Sequence, residues 1–132
     1  MNGKKEGMLR FIDEHADEWK RIADEIWDHP ELSLKEFFAA ELYCGKLREF
    51  GFQVTENLCG IPTAFCGSFG SGRPVIGILG EYDALDKLSQ EPGNPVKTPL
   101  VEGAPGHGCG HCCLGTGALG AAILLKKFFE AF

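Results

Sequence analysis

The sequence is short of positive charge, and this deficit limits what it can bind. Thirteen Lys and Arg residues stand against nineteen Asp and Glu residues, which gives a formal net charge of −6 over 132 residues. Such a balance excludes a general electrostatic attraction to nucleic acid or to anionic lipid. We therefore expect neither nucleic acid nor a membrane as a partner.

Long hydrophobic runs are also missing. No apolar stretch approaches the ~20 residues that cross a bilayer, and the segment from Met1 to Arg10 lacks the apolar core of a signal peptide. A cytoplasmic protein is the resulting expectation. In that compartment the six cysteines are expected to be thiols, metal ligands or redox groups rather than a disulfide framework.

Apolar periodicity predicts two helices in the first third of the chain. The first ends near His29-Pro30, because proline disfavours helix at the residue before it. A capping box at residues 33–36 predicts the start of the second, which Gly51 would close. The apolar positions of the first helix are Leu9, Ile12, Ala16, Trp19, Ala23 and Ile26, and those of the second are Leu34, Phe37, Ala40, Cys44 and Leu47.

After residue 51 the pattern predicts strands at 52–56 and 63–69, and a nearly continuous apolar strand at 74–79 that would be buried on both faces. A long loop over 87–108 precedes a third helix, whose glycines indicate close packing. This order favours an α/β fold, with a mixed sheet flanked by helices. Because Phe128, Phe129 and Phe132 still need cover, we expect one domain that is the front portion of a larger fold.

Two carboxylates follow the predicted buried strand. Glu81 and Asp83 would lie at its carboxyl end, which is where ligand sites form in open α/β sheets. Carboxylates there bind a metal, orient a ligand or act as acid and base. The alternative is that both are solvated loop residues.

Metal-binding residue types are densest between His107 and Cys113. These seven residues contain half of the cysteines and half of the histidines. Thiolate and imidazole are the usual ligands of zinc and similar ions, and a helix N-terminus favours a thiolate. The alternatives are a thiol–disulfide redox module using Cys109 and Cys112, a structural zinc site with four ligands, or buried cysteines packed as small apolar residues.

Three segments together resemble a known family: Ile26-Trp-Asp-His-Pro-Glu31, Gly80-Glu-Tyr-Asp-Ala-Leu85, and Gly106-His-Gly-Cys-Gly-His111 with the glycine-rich stretch 114–122 behind it. They resemble the aminoacylase/carboxypeptidase-like metallo-amidohydrolases, a metallopeptidase family. The resemblance covers nearly the whole chain but only the N-terminal part of the family's catalytic domain. It implies a zinc-peptidase-like fold that hydrolyses the amide bond of an N-acyl or aminobenzoyl amino acid.

The resemblance also implies a site. Cys109 and His111 would be ligands of a divalent metal ion, zinc or manganese, with two ions in a complete site, and Asp83 would support the metal site as a catalytic residue. Glu81 stands where the wider family has a histidine ligand. Cys112 stands where Asn or Asp is usual, which removes a possible hydrogen-bond partner of the site.

The family's general-base glutamate, its remaining ligands and its lid/dimerisation domain would lie further along the chain. Residues 1–132 would then be a partial catalytic domain, inactive alone towards its small-molecule amide substrate. We expect it to form a homo-oligomer or to bind a second hydrolase subunit. A non-catalytic scaffold remnant is the alternative.

Overall fold

A computed structural model describes residues 3–131 as four helices and one small sheet. Phe132 lies outside the described residues, and so does the expectation that its side chain needs cover. Helices and an antiparallel pair of strands together are compatible with the predicted α/β class. The elements in chain order are α1 (Gly3–Glu14), α2 (Ala16–Asp28), α3 (Phe37–Glu49), β1 (Gln53–Glu56), a 3₁₀ turn (Leu58–Gly60), β2 (Phe65–Ser68) and α4 (His111–Glu130).

The predicted first helix is two helices, which meet at His15. The Nδ1 atom of His15 lies 2.8 Å from the carbonyl oxygen of Phe11, which belongs to the last turn of α1. The predicted apolar face is therefore wrong in its first half, where Leu9 is exposed. Burial concentrates instead on α2, at Ile22 and Ile26, because that helix packs against α4.

Helix α3 begins later than the capping box predicts. Glu31 lies outside the helix, and its carboxylate accepts hydrogen bonds from the amides of Phe38 at 3.0 Å and Ala39 at 3.1 Å. A carboxylate placed there satisfies the first amides and complements the helix dipole. The prediction of a cap at Ser33 is wrong because the carboxylate of Glu31, rather than the Ser33 side chain, accepts from the first amides of α3.

The two short strands are confirmed. They pair antiparallel, with Gln53 opposite Ser68 and Glu56 opposite Phe65. The chain enters β1 through Gly51, whose φ of 77° is a left-handed conformation that glycine adopts without strain. The predicted closure of α3 by this glycine is confirmed.

The predicted buried strand at 74–79 is wrong. This segment has no regular secondary structure, and every residue from 71 to 79 is exposed. Val75 is 82% and Leu79 is 86% exposed. A strand buried on both faces needs neighbouring strands, and no other segment within residues 3–131 pairs with this one.

The predicted long loop is confirmed, and a few backbone contacts tie it down. Leu85 and Gly106 exchange two hydrogen bonds of 3.0 Å, and the amide of Ser89 donates to the carbonyl of Ala104, also at 3.0 Å. These contacts return the chain to the start of α4. The end of the loop is therefore held in a fixed position at the start of α4.

The core lies between α2, α3 and α4. Gly115 on α4 permits this packing, because a Cβ atom there would lie 2.5 Å from Tyr43 Oη and 2.8 Å from the carbonyl oxygen of Glu81. The predicted close packing of α4 is confirmed at Gly115 but is wrong at Gly117, where a Cβ would meet nothing within 4 Å. The predicted burial of Cys44 is confirmed. The core residues are Ile22, Ile26, Ala39, Tyr43, Leu47, Cys112, Leu119 and Ile123.

Helix α4 qualifies the expectation that no segment could cross a membrane. It has 20 residues and a mean hydropathy of 1.4, which is enough by length and composition alone. The core helix of a soluble protein meets the same test, so this is weak evidence for a membrane span. The burial of Leu119 and Ile123 in the core explains the apolar composition.

Candidate functional site

Two hydrogen bonds, one made by a side chain and one between backbone groups, bring together the three segments that carry the family resemblance. The carbonyl oxygen of Ile26 lies 3.0 Å from Nε2 of His107. The carbonyl oxygen of Glu31 accepts from the amide of Ala84 at 2.7 Å. Residues that are far apart in sequence thus meet at the N-terminal end of α4.

Asp83 and His111 are in direct contact. Nδ1 of His111 lies 2.8 Å from Oδ1 of Asp83 and 3.1 Å from its carbonyl oxygen. Both residues are held by their neighbours, since Ala84 is buried and His111 is the first residue of α4. Donation of the Nδ1 proton to Asp83 fixes the imidazole ring and leaves Nε2 to interact elsewhere.

Glu81 faces the other nitrogen of the same ring. Its Oε2 atom lies 3.2 Å from Nε2 of His111, and its side chain is more exposed than that of Asp83. If the ring is neutral and donates from Nδ1, Nε2 carries a lone pair aimed at a carboxylate. Two acceptors at that distance repel, so the arrangement calls for a proton or a cation between them.

His107 is a buried histidine with one unpartnered nitrogen. Only 3% of the residue is exposed, and no hydrogen-bond partner in the described chain reaches Nδ1. Burial lowers the pKa of His107, and the nearby His111 lowers it further. A neutral ring donates from Nε2 to Ile26, which anchors the segment before α4 on α2. The sequence left this histidine without a role because the contact joins residues far apart in the chain.

The cysteines of the cluster have different environments. Cys109 and Cys113 are exposed, whereas Cys112 is buried in the core with its sulfur 3.9 Å from that of Cys113. Burial raises the pKa of Cys112 to about 11. Reactive cysteines have lowered pKa values, so nothing here supports a redox module of Cys109 and Cys112. The small apolar role fits Cys112.

The donor chemistry suits a divalent cation, but the number of donors is small. Imidazole, carboxylate and thiol groups are normal ligands of zinc and manganese. Within residues 3–131 no three His, Cys, Asp or Glu side chains are arranged to hold an ion. Asp83 and His111 are in contact, while the metal-ligand roles of Cys109 and His111 and the catalytic role of Asp83 stay predictions.

Curated proteins similar to this chain are hydrolases by name. The chain is 51% identical, over 95% of its length, to the B subunit of p-aminobenzoyl-glutamate hydrolase of Escherichia coli (strain K12). The resemblance to the aminoacylase/carboxypeptidase-like amidohydrolases is confirmed. Two more distant amidohydrolase relatives are thermostable carboxypeptidase 2 of Saccharolobus solfataricus, 33% identical over 81% of the chain, and hippurate hydrolase of Campylobacter jejuni, 31% identical over 71%.

These amidohydrolases are much longer than the chain. The matched region is 27% of the Escherichia coli and Saccharolobus proteins and 24% of the Campylobacter protein. No family model matches the chain. The similarity therefore concerns about a quarter of each relative.

Proposed function

We propose that this chain is part of the catalytic domain of a metal-dependent amidohydrolase with a zinc-peptidase-like fold. Its substrate would be an N-acyl or aminobenzoyl amino acid resembling aminobenzoyl-glutamate. The observation that carries the proposal is the His111 ring held between two carboxylates, in a chain similar to three differently named hydrolases. A cytoplasmic location, inferred from the sequence, belongs to the same proposal.

His111 and Cys109 are the residues that would hold a zinc or manganese ion, and a complete site would contain two ions. When bound, such an ion supplies Lewis-acid activation of the amide carbonyl and of the attacking water. A hydrogen bond from Nδ1 of His111 to Asp83 would orient the ring so that Nε2 faces the ion. Glu81 contributes negative charge beside Nε2, which raises the affinity of this position for a cation.

The chain alone does not hold a complete catalytic set. Zinc sites that perform catalysis use three protein ligands and one open position, and residues 3–131 contain no such group of three. The remaining ligands, the general base and a lid domain would come from polypeptide equivalent to the rest of the relatives' length. The Escherichia coli relative is named as one subunit of its hydrolase, so the proposal includes a second hydrolase subunit as a partner.

A chimera tests the function. The aligned 129-residue segment of the Escherichia coli protein is replaced by this chain, and hydrolysis of p-aminobenzoyl-glutamate is measured with and without a chelator. We expect chelator-sensitive activity that His111→Ala abolishes. Asp83→Asn should lower metal affinity or activity about 10- to 100-fold, whereas the exposed His29→Ala serves as the matched histidine control.

Two results would contradict the proposal. One is a folded chimera that hydrolyses no N-acyl or aminobenzoyl amino acid. The other is His111→Ala with the same activity and metal content as the His29→Ala control. The isolated chain should show no hydrolysis, because its ligand set is incomplete.

A further inference from the structure

Tyr82 separates the two carboxylates that contact His111. Glu81 and Asp83 lie against the His111 ring, whereas the half-buried side chain of Tyr82 lies against two other aromatic rings. Side chains alternate in direction along an extended segment. Fixing the direction of Tyr82 therefore also fixes the directions of the two carboxylates beside it.

The Tyr82 side chain is held by several contacts. Its ring centroid lies 5.4 Å from that of Tyr43, edge to face, and 5.7 Å from that of Phe65, in a stacked arrangement; such pairs stabilise beyond the area that they bury. Its hydroxyl donates to the carbonyl oxygen of Thr63, and burial raises the pKa of Tyr82, so the hydroxyl keeps its proton. The hydroxyl of buried Thr63 in turn donates to Glu36 at 2.7 Å. Movement of the ring would break contacts with both α3 and β2.

Tyr43 fixes the other partner of the contact. Only 2% of this residue is exposed, and its Oη atom lies 3.2 Å from Oγ1 of Thr116 and 3.4 Å from the carbonyl oxygen of Cys112. Cys112 follows His111 in the first turn of α4. Two touching tyrosines thus join the residue before Asp83 to the residue after His111.

We propose that Tyr82 is a positioning residue that holds Asp83 against His111. On the other side of Asp83, the amide of Ala84 donates to the carbonyl oxygen of Glu31, so Asp83 lies between two anchored residues. A carboxylate that orients a histidine ligand supports metal affinity. The consequence for metal binding rests on the proposed function, whereas the effect on the contact between Asp83 and His111 does not.

Crystal structures of variants of the 132-residue chain test the contact directly. In Tyr82→Phe the ring remains, and Oδ1 of Asp83 should stay near 2.8 Å from Nδ1 of His111. In Tyr82→Leu we expect this contact to be lost while the four helices remain. Phe52→Leu removes another half-buried aromatic ring that packs against the core, and as the matched control it should keep the contact. Tyr82→Val, whose branched side chain suits an extended backbone, replaces Tyr82→Leu if that variant does not fold.

The zinc affinity of the chimera tests the consequence for metal binding, by competition with a chelator. Tyr82→Leu should weaken zinc binding about tenfold, whereas Tyr82→Phe and Phe52→Leu should change it by less than about threefold. In an Asp83→Asn background, Tyr82→Leu should have little further effect, because both substitutions act through the same contact.

Three results would overturn the inference. They are an intact contact between Asp83 and His111 in Tyr82→Leu, equal losses of zinc affinity in Tyr82→Leu and Phe52→Leu, and additive effects of Tyr82→Leu and Asp83→Asn. A folded chimera that binds no zinc would contradict the proposed function instead, and the crystal structures would then decide the role of Tyr82.

Discussion

The helices and the segment from residue 71 to 79 contain the same kinds of apolar residue, but the helices bury them and the segment exposes them. Ile123 on α4 is completely buried, whereas Ile76 is 65% exposed. A helix satisfies its own backbone and needs only one packed face, so three helices close a core by themselves. A strand needs a neighbour for its backbone as well as cover for its faces. The difference shows that apolar sequence is sufficient for burial only where a complementary element is present.

The largest expected effect comes from shortening the same residue type in the two regions. Ile123→Ala should lower the free energy of unfolding by about 2–5 kcal/mol, because it leaves a cavity among α2, α3 and α4. Ile76→Ala should change it by less than about 0.5 kcal/mol. Urea denaturation of the chain measures both.

An equal loss of unfolding free energy in the two variants would contradict the contrast between the two regions. It would mean that residues 74–79 pack against the body in solution. A small effect of Ile123→Ala with an unchanged m-value would instead show that α4 is not the centre of the core.

A second prediction concerns glycines in the irregular part of the chain. Gly106 exchanges two backbone hydrogen bonds with Leu85, and a Cβ added to it would overlap the carbonyl group of Leu88. Gly106→Ala should therefore cost about 1–3 kcal/mol of stability, since backbone cannot move aside easily. Gly77→Ala is the control, because a Cβ there meets nothing within 4 Å.

Thermal unfolding of the two glycine variants compares the return of the chain at Gly106 with the exposed segment around Gly77. We expect a lower midpoint for Gly106→Ala alone. Equal midpoints would indicate that the return of the chain at Gly106 is as loosely held as residues 74–79.

Local signals predicted much of the fold. The existence of α4, the strands β1 and β2 and the closure of α3 at Gly51 all depend on residues close together in sequence, although the buried face of α4 carries Leu119 and Ile123. The start of α3 depends on the carboxylate of Glu31, seven residues before Phe38, and the capping pattern pointed to Ser33 instead. Residues 74–79 have the composition of a strand, but composition does not reveal whether the neighbouring strands are present.

The candidate site was also partly predictable, because some of its residues stand out in their local sequence. Residue type and position at the end of an apolar run identified Asp83, and the histidine-cysteine cluster identified His111. Their contact at 2.8 Å joins two segments whose meeting the family resemblance implied. The anchoring of His107 to the carbonyl of Ile26 had no sequence signal, because any residue supplies a carbonyl oxygen.

The last prediction has the smallest expected effect on stability, because it concerns the reactivity of thiols in the folded chain. Cys44 is buried on α3, and burial raises its pKa to about 11 from an ordinary 9.0. The thiolate is the reactive form, so at pH 8 its thiolate fraction is on the order of a hundredfold lower than that of an ordinary thiol. Iodoacetamide should modify exposed Cys59 and Cys66 well before buried Cys44, as followed by peptide mass spectrometry. Raising the pH from 8 towards 10 should steadily increase the rate at which Cys44 is modified, because its folded-state thiol still titrates above that range.

Urea is the control for burial. In urea Cys44 should react as fast as the exposed cysteines, which separates burial from any intrinsic property of the peptide. Modification of Cys44 at the rate of Cys59 in the folded chain would show that the helical body is as open as residues 74–79, and the contrast between the two regions would be lost.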